Sequence, residues 1–287
     1  MATLPIAPLP IALIQTRTPD SAAAAFAHLA PLIREAAAGG AKLILTPEAS
    51  NFMIRDKDRR AAALTGQGRD EAVVALRGLA AELGAWLLIG SAIVRSGHDG
   101  DDRAANRSLL IDDRGQIVSS YDKLHVFDVD LPTGERWRES ATVRPGDEAV
   151  VADTPWGRLG LTICYDIRFP HLYRALAKAG SVMIAVPAAF TVPTGEAHWE
   201  TLLRARAIET GCWILAPAQA GTHDDGRRTW GRSTVVAPWG EVTAKLDHDE
   251  PGVLFATLDF DAVDRARAAI PQLTHDRGFA GPAPRTS

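Results

Sequence analysis

The chain has 287 residues, 46% of them hydrophobic and 23% charged, a balance that supplies a core and excludes an intrinsically disordered chain. Its 31 Lys and Arg against 35 Asp and Glu give a formal net charge of −4, too mild to point to nucleic acid or a membrane surface as partner. Two cysteines make no disulfide framework and fit a reducing compartment.

The opening "MATLPIAPLPIALIQ" has no cationic start, and prolines break its apolar run, which argues against a signal peptide. No stretch approaches the length of a membrane span, so the expectation is a soluble, cytoplasmic protein. "IALIQT" (11–16) reads as a strand and 21–40 as a helix with Pro31 as an irregularity. "KLILTPE" (42–48) is a short apolar strand ending in an acid. The charged stretch "IRDKDRR" (54–60) mixes both signs and reads as a solvated surface. A helix over 69–84 closes at Gly84, and "WLLIGSAIV" (86–94) is a strand. Residues 106–123 form a hairpin turning at "DDRG", and 149–164 repeat that form at "TPWG". A helix (169–180), a strand (181–187), a helix (198–211) and a strand (212–218) follow. A third hairpin (233–246) turns at "APWG"; a strand (253–260) and a helix (261–270) lead to the tail 271–287, which has no clear period. Strands alternating with helices suggest α/β, and the hairpins add antiparallel pairing. No low-complexity linker divides the chain, so residues 1–287 are read as one domain, with two packed sheets and helices outside.

"RLGLTIC" (158–164) ends a strand at Cys164, just before the helix that starts near Pro170. A free cysteine is often only a small core hydrophobe. At a strand-to-helix junction, however, backbone N–H groups and the helix dipole favour a thiolate or an oxyanion, which suits a nucleophile. Glu48, Lys123 and Glu139 lie at comparable strand ends or in the loops after them, where sites of α/β folds assemble. Each charge taken alone reads as a solvated loop residue or an ordinary ion pair; their coincidence with Cys164 does not. His171, seven residues past Cys164, is expected on a helix pointing away from it. Cys212 begins a strand without charged neighbours and reads as core. The eight histidines and two cysteines show no zinc-type spacing, so no metal and no cofactor are expected.

"LTPEAS", "YDKLHVFDVDLP" and "LTICYDIRFP", in that order, resemble the nitrilase or carbon–nitrogen hydrolase superfamily, and the resemblance runs from about Ile11 to the tail. It implies an α-β-β-α four-layer sandwich and a Glu–Lys–Cys triad falling on Glu48, Lys123 and Cys164, with Glu139 as an assisting second glutamate. In the chemistry so implied, Cys164 attacks an amide carbonyl and Glu48 moves the protons. Lys123 and the backbone N–H of Tyr165 stabilise the oxyanion, and a thioester is hydrolysed by water. Cys-Tyr-Asp rather than Cys-Trp-Glu after the nucleophile resembles the amidase branch. "RES" (138–140) and "LLRARAIE" (202–209) lean toward deaminated glutathione amidases, with ω-amidase or N-carbamoyl amidohydrolase activity as the alternative. A catalytically silent binding subunit of the same fold is the non-enzyme alternative. The substrate is then a small amide carrying a carboxylate. Arg168 is the first candidate to grip that carboxylate, by guanidinium fork or else bound to Asp166 in an ion pair. Thr194 and His198, read as opening the next helix, are candidate pocket residues; Tyr165 and Trp199 are expected as wall and core. The resemblance also implies a homodimer.

Overall fold

The computed structural model describes residues 7–130 and 134–281. Residues 1–6 of the N-terminal reading, 282–287 of the tail, and the end of the "YDKLHVFDVDLP" motif at 131–132 lie outside these. The chain begins with β1 (Leu9–Gln15), α1 (Ala22–Ala38), β2 (Leu43–Leu45), α2 (Lys57–Ala63) and α3 (Glu71–Leu83), followed by β3 (Trp86–Arg95), β4 (Ala104–Ile111) and β5 (Ile117–Asp122). A small antiparallel hairpin, β6 (Asp128–Asp130) and β7 (Arg136–Arg138), comes next. The second half runs β8 (Val150–Thr154), β9 (Gly157–Leu161), α4 (Pro170–Lys178), β10 (Ser181–Ala185), α5 (Val192–Thr210) and β11 (Trp213–Ala216). It closes with β12 (Ala220–Thr222), β13 (Arg228–Trp230), β14 (Thr234–Val236), β15 (Val242–Lys245), β16 (Gly252–Leu258) and α6 (Asp261–Ala269).

Two six-stranded sheets result, ordered β16-β1-β2-β3-β4-β5 and β15-β14-β11-β10-β9-β8. Each has three parallel strands at its centre, β1-β2-β3 and β9-β10-β11, flanked by antiparallel partners. Period-two alternation sorts side chains between layers. Along β1, Leu9, Ile11 and Leu13 face the core between the sheets, whereas Ala12 and Ile14 join the layer filled by Leu29 and Ile33 of α1 and by Val73, Leu76 and Leu79 of α3. On the other side, Leu172 and Leu176 of α4 and Trp199 and Leu203 of α5 pack on the second sheet. The layers are therefore α-β-β-α, as the resemblance implies. Among the described residues no helix is long and apolar enough to cross a membrane.

The turns follow their chemistry. Asp112 Oδ1 accepts from the N–H groups of Arg114 and Gln116 at the "DDRG" corner, and Gly157 and Gly240 supply the left-handed backbone of the other two hairpins. Pro31 lies inside α1. Some boundaries differ from the sequence reading. α5 starts at Val192, not 198, because Pro193 suits a first turn and Thr191 is extended before it. The stretch 54–60 contains the start of α2, capped by Asp56 Oδ1 accepting from Arg59 N–H. The strand leading to Cys164 ends at Leu161, and Cys164 to Arg168 form a 3₁₀ turn. Two hairpins, β6-β7 and β12-β13, were not foreseen.

One glycine sets the separation of the sheets near the site. A Cβ on Gly90 of β3 would lie 1.8 Å from the Thr46 carbonyl oxygen and 2.5 Å from Pro187 Cβ, so only a residue without a side chain lets these segments meet.

Candidate active site

Glu48 follows β2 by three residues, and its chain makes a sharp turn there. Ala49 has φ of 56°, in the left-handed region that disfavours an L side chain. Ser91 holds the turn: its Oγ accepts the Ala49 N–H at 2.8 Å and its carbonyl accepts the Ser50 N–H at 2.7 Å. Gln219, on the second sheet's side, donates from Nε2 to the Glu48 carbonyl at 2.8 Å. Cys164 is the second left-handed non-glycine residue of the site, with φ of 50°. Its own N–H is spent on the Pro187 carbonyl at 2.8 Å, and Tyr165 follows it in the turn.

The Glu48 carboxylate is 6% exposed and fully engaged. Oε1 accepts from Lys123 Nζ at 2.9 Å and from Asn106 Nδ2 at 2.9 Å; Oε2 accepts the Ala189 N–H at 2.9 Å. Lys123 is 2% exposed and also donates to both oxygens of Glu139, at 3.1 and 2.8 Å. Glu139 reaches the site through Lys123 and through Asn106, whose Nδ2 is 3.2 Å from its Oε1; Phe127 N–H donates to its other oxygen at 2.6 Å. Asn106 thus bridges both glutamates, a role no sequence signal announced, since it stands in β4 beside two other polar residues, Arg107 and Ser108.

Electrostatics fix the resting protonation. Burial raises the pKa of Glu48, but the Lys123 charge and hydrogen bonds from Cys164, Lys123 and Asn106 outweigh it and hold the carboxyl below its usual range. Burial lowers Lys123, yet the charges of Glu139 and Glu48 raise it well above an ordinary lysine. Burial and the Glu48 charge push the Cys164 thiol well up, against a smaller opposite pull from Lys123. The junction was expected to favour a thiolate. Instead α4 begins six residues later, at Pro170, and the resting state is a thiol beside a carboxylate and an ammonium.

All four groups line one cavity of about 370 Å³, large enough for a small molecule. Tyr165, Arg168 and Thr194 line it too. Arg168 makes no ion pair with Asp166, which is enclosed by Tyr121, His125 and the Ile163 N–H. Its guanidinium lies over the rings of Tyr165 (5.9 Å) and Phe190 (5.5 Å). His198 is not a cavity residue. With α5 starting early, it sits exposed on the second turn, its Nδ1 3.3 Å from Arg168 Nη2. Trp199 is core, and His171 is exposed. Residues 55–59 of the stretch read as solvated surface are exposed, and Arg55, Lys57 and Arg60 also line the cavity. Cys212 is buried, but not without a charged neighbour: Arg267 of α6 brings Nη2 to 3.1 Å from its sulfur. Among the described residues no three His, Cys, Asp or Glu side chains converge as a metal site.

Residues 10–268 match the family described as carbon–nitrogen hydrolase. The chain is 43% identical over 250 residues to a deaminated glutathione amidase of Yersinia enterocolitica, covering 86% of each, and 40% identical over 269 residues to that of Homo sapiens, covering 91% of this chain and 80% of the relative. Among solved structures, the C. elegans NitFhit protein superposes with a TM-score of 0.87 at 35% identity over 96% of this chain, which spans 66% of that longer one. Saccharomyces cerevisiae Nit3, a member of branch 10 of the nitrilase superfamily, gives 0.82 at 26% identity over 95% of this chain and 97% of its own. With a matching family model along most of its length and a shared α-β-β-α architecture, this chain belongs to the carbon–nitrogen hydrolase family and is an amidohydrolase of the nitrilase superfamily.

Proposed function

We propose that the chain hydrolyses deaminated glutathione, the amide between the side-chain carboxyl of an α-keto acid and cysteinylglycine, through a thioester on Cys164. The observation that carries the mechanism is the meeting of Cys164, Glu48 and Lys123 at one buried cavity wall. The substrate class is supported by relatives that bear that activity's name at about 40% identity.

In this reading the amide carbonyl binds over the thiol. The Cys164 proton passes to Glu48 as the sulfur–carbon bond forms, because the carboxylate is ionised at rest and the thiol is not. Lys123 has three N–H donors, engaged in the resting site by Glu48 and by both oxygens of Glu139. Once Glu48 takes the proton its charge is gone, its hold on Lys123 weakens, and an ammonium N–H turns to the new oxyanion beside the Tyr165 N–H. Glu139 and Asn106 keep Lys123 and Glu48 in place during that exchange. Glu48 returns its proton to the departing amine, the C–N bond breaks, and cysteinylglycine leaves. Water, deprotonated by Glu48, then attacks the thioester and releases the dicarboxylic keto acid and the free thiol. Arg168, with two rings packed against it and no carboxylate partner among the described residues, holds the keto-acid carboxylate.

The test is product analysis with purified protein. Deaminated glutathione should yield equimolar keto acid and cysteinylglycine, and a quenched sample should carry the acyl group on the peptide containing Cys164. Faster turnover of a simple ω-amide or an N-carbamoyl amine than of deaminated glutathione would move the assignment to those substrates.

We further propose a cytoplasmic homodimer. Two thiols without a disulfide fit a reducing compartment. Exposed Ile208 on α5 and Trp239 in the turn beside it, with Gly240 against the Ile208 side chain, offer an apolar face for a second copy. Light scattering should report twice the chain mass, and Ile208→Glu should lower it.

A further inference from the structure

The cavity carries far more positive charge than one carboxylate needs. Nine of its lining residues are Lys or Arg and two are Glu, in a chain whose net charge is −4. Both glutamates are bound to Lys123, Asp130 pairs with Arg136 and Arg138, and Asp225 pairs with Arg227, which leaves Arg55, Lys57, Arg60, Arg168 and Arg228 without an ion pair among the described residues. Arg168 accounts for one anion.

A second concentration of charge lies elsewhere on the wall. Arg60 of α2 is half-buried and has no ion pair among the described residues; burial and the Arg227 charge lower its pKa, against a smaller opposite pull from Glu139. Arg227 precedes β13. Asp225 fixes it through Nη2 at 2.8 Å, while its Nε is buried with no hydrogen-bond partner among the described residues. Its guanidinium stands over the Trp137 ring at 5.4 Å, and Arg55 stands over the same ring at 5.9 Å. Asp225 neutralises Arg227, whereas Arg60 and Arg55 have no carboxylate partner among the described residues, so an anion arriving at this wall meets cationic charge that is not already paired. Aromatic contacts separate this cluster from Arg168. Trp137 touches Phe127 (6.2 Å between centroids), Phe127 touches Tyr165 (5.1 Å), and Tyr165 carries Arg168. The cavity therefore has two cationic ends joined by an aromatic wall, with Cys164, Glu48 and Lys123 also lining it.

We propose that Arg60 and Arg227 form a second anion subsite that binds a carboxylate on the leaving amine, so that the amide best matched to this cavity bears a carboxylate on each side of the scissile bond. The assignment rests on the amidase reading above and adds to it the residues that select the leaving group. A guanidinium pair suits a planar carboxylate, and the Trp137 ring holds Arg227 and Arg55 oriented toward it.

The experiment compares kcat/KM for deaminated glutathione with that for the same molecule amidated at its glycine carboxylate, in wild type, Arg60→Gln and Arg227→Gln. A third substrate, esterified at the keto-acid carboxylate, tests the other end. Wild type should prefer the free glycine carboxylate by about tenfold or more, and each variant should reduce that preference to about twofold while the preference at the keto-acid end persists. Arg60 is on a helix with no buried residue, so Arg60→Gln gives a folded variant even if Arg227→Gln disturbs the turn at Asp225. An unaltered preference in Arg60→Gln, or no preference in wild type, overturns the subsite while leaving the amidase reading intact. If wild type cleaves none of the three, that reading fails. The subsite is then judged by calorimetric titration of cysteinylglycine and its amide into wild type and Arg60→Gln. Tighter binding of the free acid, lost in the variant, supports it; equal binding overturns it.

Discussion

Tyr121 donates its hydroxyl to Asp166 Oδ2 at 2.6 Å, and through that bond the strand leading to Lys123 is fastened to the turn that carries Cys164. Asp166 has no exposed surface and accepts three further contacts: the Ile163 N–H at 2.8 Å, the His125 N–H at 3.0 Å and His125 Nδ1 at 2.7 Å. The Tyr121 oxygen in turn accepts the Leu124 N–H at 3.1 Å. Burial and the neighbouring Asp166 charge push the phenol pKa far up, so it remains a donor at every working pH. The cluster touches no substrate; it sets where the lysine and the cysteine stand relative to each other. Tyr121→Phe removes one donor from a buried carboxylate and should cost about 1–3 kcal/mol of stability. Because the lysine loop then loosens, kcat should fall more than KM rises. Denaturant titration beside steady-state kinetics checks both, and a pure stability loss with unchanged kcat would make the cluster structural only.

Lys123→Met should affect stability and chemistry together. It leaves buried Glu48 and half-buried Glu139 without their shared cation, a loss of about 3–5 kcal/mol. It should also slow the chemical step by on the order of 100-fold or more. The double variant Lys123→Met, Glu139→Gln should recover part of the stability, since one stranded charge is gone, and none of the rate. Thermal melts and single-turnover kinetics separate the two effects.

The pH dependence follows from the directions of the shifts. The folded-state pKa of Glu48 is depressed, so its contribution to stability is present above the unfolded carboxyl value and is lost as pH falls through the lower folded value. The folded-state pKa of Lys123 is raised, so its contribution is full below the unfolded lysine value and is lost only as pH rises through the higher folded one. Melting temperature should therefore be flat through neutrality and fall in acid below the ordinary glutamate range. In Glu48→Gln that acid limb should shrink. Alkylation of resting Cys164 by iodoacetamide should accelerate only at pH above the usual thiol range, because burial and the Glu48 charge keep the proton on sulfur. Fast alkylation at neutral pH would show a resting thiolate and contradict the proton transfer proposed for catalysis.

Gly90→Ala should be among the most damaging single-methyl insertions in the chain. The new carbon would meet the Thr46 carbonyl at 1.8 Å, and backbone cannot move aside as a flexible side chain would. Overpacking of this kind costs about 1–3 kcal/mol or more. Thr46 lies two residues before Glu48, so activity should drop further than the fraction unfolded explains. Gly78→Ala, whose Cβ meets nothing within 4 Å in an ordinary helix, is the control and should be neutral or slightly stabilising.

Charged or nucleophilic residues placed at strand ends were readable in the sequence. Glu48 after "LILTP", Lys123 after "IVSSYD" and Cys164 after "LGLTI" each stand just past a strand, and the fold brings all three to one cavity. What supports them was not readable. Asn106, Gln219 and the Tyr121–Asp166 bond join residues 45 to 171 positions apart, and no local pattern records such a pairing. α2 escaped notice because it has no buried residue and hence no apolar stripe to betray a helix. The β6-β7 hairpin was missed for a similar reason: "DVD" against "RWR" pairs by charge more than by burial. Arg267 beside Cys212 shows the same limit, since the guanidinium arrives from 55 residues away.

The pairing of β1 with β16 has a consequence for how the chain is made. Leu9 through Gln15 align with Leu258 through Gly252 along seven antiparallel positions, so a strand near the start of the chain waits for one near its end. During synthesis the first sheet can assemble from β1 to β5 long before β16 leaves the ribosome, but until then β1 presents an unpaired edge with its apolar inner face uncovered. Such an edge invites pairing with another nascent chain, and closing it requires a contact of very high sequence separation. Pairing of β1 thus depends on residues 252–258, and the edge is closed only once they have been synthesised.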